Sequence, residues 1–430
     1  MARRVAITGL GAVTPLGNDV PTFWRRLLAG ESGVGFIREF PIDGLRSDVS
    51  ASVVDFDAER YLTKKEAEIY GRVTQLSLAA AVEAMDHAGL GGLMKPDVPG
   101  GEARMGLGVP VERARVGCLM STGQGSVDIF EQQIERSRER GPRAVSPFFI
   151  PGVMPNSGTA LVSMRFGLMG PSYNLASACA TGTHSIATGA LMIEAGLADV
   201  MLVGGAEAAT RINTLAGFGN ARALTRAKDG DPTRSSRPFD VDRSGFVMGE
   251  GAGVLVLEAR EHAEARGATV LAEVAGYGMS SDGEHLTRPH EDGLGIRLAV
   301  EQALARAGLA PDSIDYVNPH ATSTPAGDVA EIRALRAVFG ERLAKVPLSA
   351  TKSLLGHLLG GAGAVESIAV VRSLVEGAIH PSLNVDNLDP ALGDVDVVRG
   401  APRRGPLRHA LKISAGFGGH NCALLFSSMR

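Results

Sequence analysis

The chain has 430 residues, 44% of them apolar and 21% charged, and a net charge of −4. That length exceeds what one simple core usually fills, so we expect two domains or a duplicated core. No long basic run indicates a nucleic-acid surface, and no apolar run approaches a membrane span. The three cysteines, Cys118, Cys179 and Cys422, are too few and too scattered for a disulfide framework or a zinc site. We therefore expect no metal and a reducing cytoplasm.

Apolar strands alternate with amphipathic helices from the start of the chain, which predicts α/β architecture. A first strand is predicted over residues 4–10 and a short helix over residues 21–28. A capping box, Thr63 with Glu66, predicts a helix that runs to about His87. Residues 90–114 are rich in Gly, Pro and charge, which indicates a surface insertion.

Cys179 lies where a polar run meets a predicted small-residue helix, residues 180–196. The helix leads into an apolar strand, residues 200–203, and further buried strands are predicted over residues 115–120 and 249–258. A thiol at a helix N-terminus lies beside unpaired backbone N–H groups and the helix dipole, both of which favour the thiolate. The segment therefore predicts a nucleophile. The alternative is that Cys179 is a small buried hydrophobe.

The alternation of strands and helices begins again near residue 270. A strand is predicted to end with residues 316–318, two more strands are predicted over residues 409–415 and 421–427, and helices over residues 328–339 and 361–376. No repeat is visible at the level of residues, yet the two parts have a similar order of elements. We therefore predict two halves, residues 1–268 and 269–430, which fit either two domains or an ancient duplication.

His320 lies just past the carboxyl end of a predicted strand. Open α/β sheets usually place ligands at such a position, so His320 is a candidate functional residue. Thr322 and Thr324 offer hydroxyl groups beside it. The alternative is a structural histidine followed by two threonines that stabilise a turn.

Lys352 and His357 lie in a glycine-rich approach to the predicted helix 361–376, which contains Glu366. Lys352 and Glu366 are expected to form a buried ion pair that positions the histidines; the alternative is a solvated lysine. Residues 416–421 predict a tight turn between the last two strands. The backbone N–H groups of this turn either face a bound oxygen or simply turn the chain.

One cysteine and two histidines, each in a loop beside a buried element, suit acyl transfer followed by condensation. The Cys179 thiolate accepts an acyl group, and two neutral imidazoles donate hydrogen bonds to a developing enolate. A protease-type Cys–His pair needs one histidine as base, so the second histidine would be surplus.

Further motifs give the chain a resemblance to a known family along nearly its whole length. They are residues 9–17 (GLGAVTPLG), 204–207 (GGAE), 237–240 (RPFD) and 249–253 (GEGAG). With the cysteine and histidine segments, the chain resembles the β-ketoacyl-[acyl-carrier-protein] synthases of the condensing-enzyme group, most of all synthase II of type II fatty-acid synthesis. The resemblance implies the thiolase-like fold, with two topologically similar halves in a layered α-β-α-β-α core, and a homodimer.

The resemblance also implies roles, position by position. Cys179 would take the acyl chain from acyl carrier protein, and His320 and His357 would bind the malonyl thioester oxygen. Backbone N–H groups of Cys179 and Phe417 would form the oxyanion hole, and the Phe417 ring would gate the acyl pocket. The remaining roles are support by Lys352 and Glu366, binding of the phosphopantetheine arm by Thr322 and Thr324, an acyl pocket at Gln124 and Phe218, and carrier docking at Lys64, Lys65 and Arg222. The implied reaction is a decarboxylating Claisen condensation of fatty-acid elongation, without a cofactor of its own.

The chain departs from the family's pattern at several positions. Gln124 stands where relatives often carry an apolar residue, and a polar group there disfavours a long alkyl tail. His420 replaces a frequent threonine, Ala321 replaces a commoner glycine, and Glu68 falls where basic docking residues are common. These departures keep a second interpretation open: a ketosynthase of a specialised polyketide or modified-lipid pathway with a dedicated carrier.

Three further interpretations are weaker. A thiolase would use Cys422 as its second cysteine, but the spacing from Lys352 to His357 favours the synthase. Histidine rather than asparagine at position 357 argues against synthase III. A non-catalytic partner subunit that binds acyl chains would lack the nucleophile, and Cys179 with both histidines argues against it.

Overall fold

A computed structural model of the chain describes residues 3–95, 104–107 and 111–429. The helices are α1 (Val20–Leu28), α2 (Lys64–Ile69), α3 (Arg72–His87), α4 (Val127–Arg140), α5 (Phe149–Val153), α6 (Ser157–Phe166), α7 (Thr181–Glu194), α8 (Ile212–Asn220), α9 (Arg260–Ala265), α10 (Leu294–Ala307), α11 (Pro325–Phe339), α12 (Lys352–Leu355) and α13 (Ala362–Glu376). The strands are β1 (Val5–Val13), β2 (Gly35–Phe36), β3 (Val49–Ala51), β4 (Gly91–Lys95), β5 (Arg104–Leu107), β6 (Val116–Ser121), β7 (Val200–Glu207), β8 (Met248–Gly249), β9 (Gly251–Ala259), β10 (Ala272–Ser281), β11 (Tyr316–Asn318), β12 (Pro347–Leu348), β13 (Ala378–Ile379), β14 (Asp396–Val397), β15 (Arg403–Arg404), β16 (His409–Gly416) and β17 (His420–Ser428). Within these ranges, no helix has both the length and the apolar character needed to cross a membrane.

A ten-stranded sheet runs through the molecule in the order β14-β12-β11-β16-β17-β10-β1-β9-β7-β6. Its two parts repeat one pairing pattern. In the first part β1 pairs antiparallel with β9, β9 antiparallel with β7, and β7 parallel with β6. In the second part β10, β17, β16 and β11 pair in the same order and the same directions. The parts meet where β1 lies antiparallel to β10, so the chain contains two topologically equivalent halves.

The core has five layers. α3 and α6 cover the first half of the sheet, α10 flanked by α11 covers the second half, and α7 and α13 lie between them. Small residues let these central helices touch: a Cβ on Gly182 would lie 2.9 Å from Ala364 N, and one on Gly363 would lie 2.0 Å from Thr183 Oγ1. Strands β1, β7 and β9 are buried along their whole length, as expected for a sheet covered on both faces. The predicted layered fold with two similar halves is confirmed.

The helix predicted from the capping box is in fact two helices. The Thr63 hydroxyl accepts a hydrogen bond from Glu66 N, and the Glu66 carboxylate accepts one from Thr63 N, so the cap itself is present. Tyr70 and Gly71 are extended and separate α2 from α3. Gly71 packs so closely on Ser126 that a Cβ would lie 2.6 Å from that side chain. The prediction of one continuous helix is wrong, because this tertiary contact requires a break.

Two predicted boundaries, those of the insertion at residues 90–114 and of the division at residue 268, are not tested in full by the structure. Of the predicted insertion at residues 90–114, residues 96–103 and 108–110 lie outside the described residues. The remainder includes β4 and β5, which pair antiparallel with each other. The predicted division at residue 268 falls between α9 and β10 and stays a prediction.

Candidate active site

Cys179 lies in a single 3₁₀ turn, Ala178–Ala180, directly before α7. Ala178 has a left-handed φ of 49°, which residues other than glycine rarely adopt and which clusters at functional sites. The Thr181 hydroxyl fixes the turn, because it accepts a hydrogen bond from Ser177 N at 2.9 Å and donates one to the Ala178 carbonyl at 2.7 Å. The thiol therefore stands at the N-terminus of a 14-residue helix, as the sequence predicts.

The surroundings of this thiol oppose its ionisation. Burial raises the pKa of Cys179 to about 12, while Lys352 and the backbone N–H of Phe417 act in the opposite direction. The expected preference for the thiolate is therefore wrong for the resting site, since desolvation outweighs the polar groups around the sulfur. The N–H groups of Phe417 and of Cys179 itself both reach Sγ.

The rings of His320 and His357 lie edge to face, with their centroids 5.3 Å apart. His320 follows β11, and His357 follows α12 and packs against the Phe246 ring. Burial lowers the pKa of both histidines well below its ordinary value, and the charge of Lys352 lowers both further, so both rings are neutral at pH 7. Within the described ranges, nothing pairs with Nδ1 of His320 or with either ring nitrogen of His357. These atoms are therefore available to a substrate.

Lys352, Glu366 and Lys412 form a buried ion triad. Lys352 Nζ lies 2.5 Å from Glu366 Oε1, and Lys412 Nζ lies 2.8 Å from Glu366 Oε2. None of the three side chains is more than 3% exposed. The first pair is the one that the sequence predicts. Lys412 was not predicted, although a lysine inside the apolar strand β16 is a visible signal.

Two buried carboxyl groups shape the loop that carries His320. Glu331 accepts hydrogen bonds from the backbone N–H groups of His320 and Ala321 at 2.5 and 2.8 Å, and Asp328 accepts one from Ser323 N at 3.2 Å. Burial raises the pKa of Glu331 to about 7 and the pKa of Asp328 to about 6. These bonds hold Ala321 and Ser323 at left-handed φ values of 35° and 70°. The loop is therefore strained next to His320.

Glu207, at the end of β7, is a further buried carboxyl group, for which the sequence predicts no role. It accepts hydrogen bonds from the Thr122 hydroxyl and from the backbone N–H groups of Gln124 and Gly360. It thereby joins the loop after β6 to the segment after His357. Across the described residues, no three His, Cys, Asp or Glu side chains gather in a way that would hold a metal ion.

One cavity of about 380 Å³ brings most of the predicted site residues together. They are Cys179, His320, His357, Thr322, Thr324, Phe218, Phe417 and Arg222. The hydroxyl oxygens of Thr322 and Thr324 lie 3.0 Å apart, and the ring centroids of Phe218 and Phe417 lie 6.0 Å apart. Of the other candidates, Lys352, Glu366 and Cys422 are not among the described residues that line this cavity.

Gln124 lies in a neighbouring groove of about 490 Å³ rather than in the cavity of Cys179. Asn213 and Thr214 also line this groove, so part of its wall is polar. Phe218 and Phe417 line both spaces. The two phenyl rings therefore mark the boundary between the groove and the cavity.

Arg222 belongs to a cluster of basic side chains. A third cavity of about 490 Å³ shares Arg222 with the cavity of Cys179. The other basic residues that line it are Arg46, Arg226, Lys228 and Arg237, of which the last three pair with carboxylates of Asp48, Asp242 and Asp240. Lys64 and Lys65 are exposed on α2 and are absent from the described linings of all these cavities. The three predicted docking residues therefore do not line a common cavity.

Known families match the chain along most of its length. The β-ketoacyl synthase N-terminal domain matches residues 2–263, and the β-ketoacyl synthase C-terminal domain matches residues 271–386. The chain therefore belongs to the β-ketoacyl synthase family. A 3-oxoacyl-[acyl-carrier-protein] synthase 2 of Vibrio cholerae is 43% identical over 99% of both chains.

Solved structures of ketosynthases share the fold. A β-ketoacyl synthase from Burkholderia phymatum is 33% identical with a TM-score of 0.89, over 100% of both chains. A structure of a type II polyketide synthase acyl-carrier protein in complex with its ketosynthase is 28% identical with a TM-score of 0.88, again over 100% of both chains. The predicted thiolase-like fold is confirmed, and the protein is a condensing enzyme of this family.

Proposed function

We propose that the protein catalyses the decarboxylating Claisen condensation of an acyl thioester with malonyl-[acyl-carrier protein]. The product is a 3-oxoacyl-[acyl-carrier protein], which lengthens a fatty-acid chain by two carbons. One observation carries the proposal: Cys179, His320, His357 and Phe417 line a single cavity. The 43% identical relative, a 3-oxoacyl-[acyl-carrier-protein] synthase 2, supports it.

In the first half-reaction, the Cys179 sulfur attacks the carbonyl carbon of the acyl thioester. The backbone N–H groups of Cys179 and Phe417, which reach Sγ, stabilise the oxyanion. The carbon–sulfur bond to the carrier then breaks, and the departing pantetheine sulfur takes the proton that Cys179 gives up. Because burial raises the pKa of this thiol, proton loss accompanies the attack rather than preceding it.

In the second half-reaction, the malonyl thioester binds with its carbonyl oxygen at His320 and His357. Both imidazoles are neutral, since burial lowers the pKa of each, so each donates an N–H to this oxygen as carbon dioxide leaves and an enolate forms. The enolate carbon attacks the thioester on Cys179. A carbon–carbon bond forms, and the Cys179 sulfur leaves and regains a proton. The pair of Lys352 and Glu366 supports the two histidines.

The proposed partner is an acyl carrier protein that brings its own phosphopantetheine arm, so no other cofactor enters the reaction. Thr322 and Thr324 line the cavity and bind the arm through their hydroxyl groups. Arg222 at the mouth of the cavity, together with the exposed Lys64 and Lys65, attracts an acidic carrier.

A homodimer in the cytoplasm completes the proposal. Large apolar side chains are exposed on α4, on α5 and between them: Phe130 (48%), Phe148 (46%) and Ile150 (59%). The ring of Phe130 lies 6.1 Å from that of the half-buried Phe149, which stands between Phe148 and Ile150 in the chain, so α4 and α5 are neighbours here. An apolar face of this kind suits a second copy of the chain. The cysteines of the described residues are free and buried, which suits a reducing compartment.

A second candidate function is favoured by the groove beside Phe417. Gln124, Asn213 and Thr214 make part of its wall polar, which suits an oxygenated chain better than an alkyl tail. A ketosynthase of a specialised polyketide or modified-lipid pathway would use the same chemistry on such a chain. A non-catalytic acyl-binding subunit is the weaker alternative, since Cys179 and both histidines are present. Such a subunit would never become acylated at Cys179.

Mass spectrometry of the intact protein and its peptides tests the proposal. The protein is exposed to acyl carriers of several chain lengths and then to malonyl carrier. We expect acyl mass on Cys179 and a carrier product two carbons longer. Cys179→Ser abolishes both, His320→Ala keeps acylation but stops decarboxylation, and Cys118→Ala, the control in β6, keeps both. Normal condensation by His320→Ala would contradict the assigned roles, and no acylation by any carrier would contradict the function.

A further inference from the structure

Lys412 is a buried charge to which the proposed reaction assigns no role. Its side chain is fully buried in β16, the strand that runs into the Phe417 turn. Its Nζ lies 2.8 Å from Glu366 Oε2 and donates hydrogen bonds to the Ile413 carbonyl and, at 3.2 Å, to Ser414 Oγ. Burying a lysine is costly, so its retention inside a core strand calls for a function.

The triad carries a surplus positive charge. Two ammonium groups, those of Lys352 and Lys412, share the single carboxylate of Glu366. Burial raises the pKa of Glu331 to about 7, so this nearby carboxyl group does not cancel the surplus at lower pH. Because screening by water is weak in a protein interior, the extra charge acts strongly on its neighbours.

The strand of Lys412 is coupled to the reacting groups through the packing around it. Ser414, two residues further along β16, lies 2.7 Å from the Thr183 hydroxyl of α7, the helix that begins after Cys179. The titratable groups that face Lys412 are Glu366 on α13, Lys352 on α12, Glu331 on α11, Cys422 on β17, and His320 and His357 in the loops after β11 and α12.

We infer that Lys412 is a positioning residue for the condensation, because it clamps Glu366 opposite Lys352 and supplies the surplus positive charge that keeps His320 and His357 as neutral N–H donors. This inference rests on the proposed function and concerns its second half-reaction only. Burial is the first cause that lowers the pKa of the two histidines, and the charges of Lys352 and Lys412 lower it further. A protonated imidazole beside the triad would add a second uncompensated positive charge to the site.

The variant Lys412→Met separates this role from a structural one. It removes the surplus charge at nearly constant volume and leaves Lys352 paired with Glu366, so the variant keeps a balanced buried ion pair. The rate of malonyl-carrier decarboxylation is measured against pH. We expect the acid limb of the kcat profile to move up by about one pH unit, with KM for malonyl carrier unchanged. Acylation of Cys179, which does not use the histidines, stays at the wild-type rate.

Lys345→Met is the matched control, because it removes an exposed lysine from the same half of the chain and keeps the wild-type profile. A Lys412→Met profile that superimposes on the wild type overturns the inference. A second test needs no variant: an acid limb of the wild-type profile at about pH 6.5, the ordinary pKa of histidine, overturns it as well. If the wild-type protein is not acylated by any carrier, the proposed function fails and the inference fails with it.

Discussion

The substitution Glu366→Gln is expected to destabilise the folded protein strongly, because it removes the carboxylate of a buried ion triad. Glu366 is 3% exposed and holds the ammonium groups of Lys352 and Lys412 at 2.5 and 2.8 Å. The amide keeps the shape of the side chain but removes its negative charge. Two buried positive charges then face each other without the carboxylate that pairs with both, so the folded state must expel one proton or bear the repulsion.

Two estimates of the loss in the free energy of unfolding agree. Breaking a buried ion pair by removal of one partner typically costs about 3–5 kcal/mol. If Lys412 instead loses its proton, the cost is that of deprotonating a lysine with an unfolded-state pKa of about 10.4, which is about 4.6 kcal/mol at pH 7 and about 2 kcal/mol at pH 9. Burial already lowers the pKa of Lys412 in the wild type, which makes this route the natural one.

The sign of the pH dependence follows from the proton count. A lysine that is neutral in the folded variant and charged in the unfolded chain means that the unfolded state binds one proton more. The stability of the variant therefore rises with pH, by about 1.4 kcal/mol per unit, until the unfolded pKa near 10.4 is reached. The loss of stability relative to the wild type therefore shrinks as pH rises, from about 4.6 kcal/mol at pH 7 to about 2 kcal/mol at pH 9.

Equilibrium urea denaturation at pH 7 and pH 9 measures this deficit. The matched control is Glu376→Gln on the same helix α13, since Glu376 is 34% exposed and pairs with Arg372 one turn earlier. A surface pair of this kind contributes less than about 0.5 kcal/mol. A Glu366→Gln variant as stable as the control at pH 7, or a deficit that is the same at both pH values, would refute the reasoning.

The other predictions concern the loop after His320 and the groove beside Phe417. Ala321→Gly removes the backbone strain of a φ of 35°, which stabilises the folded state by about 1–2 kcal/mol. It also loses one buried methyl group, which costs about 0.8 kcal/mol. The variant should therefore melt at or above the wild-type temperature. Ala369→Gly in the middle of α13 is the control and should melt lower; an equal loss in both would contradict the strain argument. Gln124→Ile should shift the acyl-chain profile toward longer alkyl tails in a competition among acyl carriers, and an unchanged profile would show that Gln124 does not select the chain.

The local features of this protein are predictable from short stretches of its sequence. The capping box of Thr63 and Glu66, the position of Cys179 before a small-residue helix and the position of His320 beyond a strand are all short-range patterns. They were predictable because helix starts and strand ends depend on neighbours within a few residues. The order of elements in the two halves was visible for the same reason, since each buried strand is marked by its own apolar run.

Which of these groups meet, and in what charge state, depends instead on long-range packing. Lys412 finds Glu366 on another element, and Gly71 breaks a helix because the chain packs Ser126 against it. Packing also reverses the expectation for Cys179: burial raises the pKa of a thiol that its helix N-terminus alone would favour as a thiolate. A local pattern contains no measure of how much water the fold excludes. Desolvation and long-range pairing are therefore properties of the packed core and not of the segments that compose it.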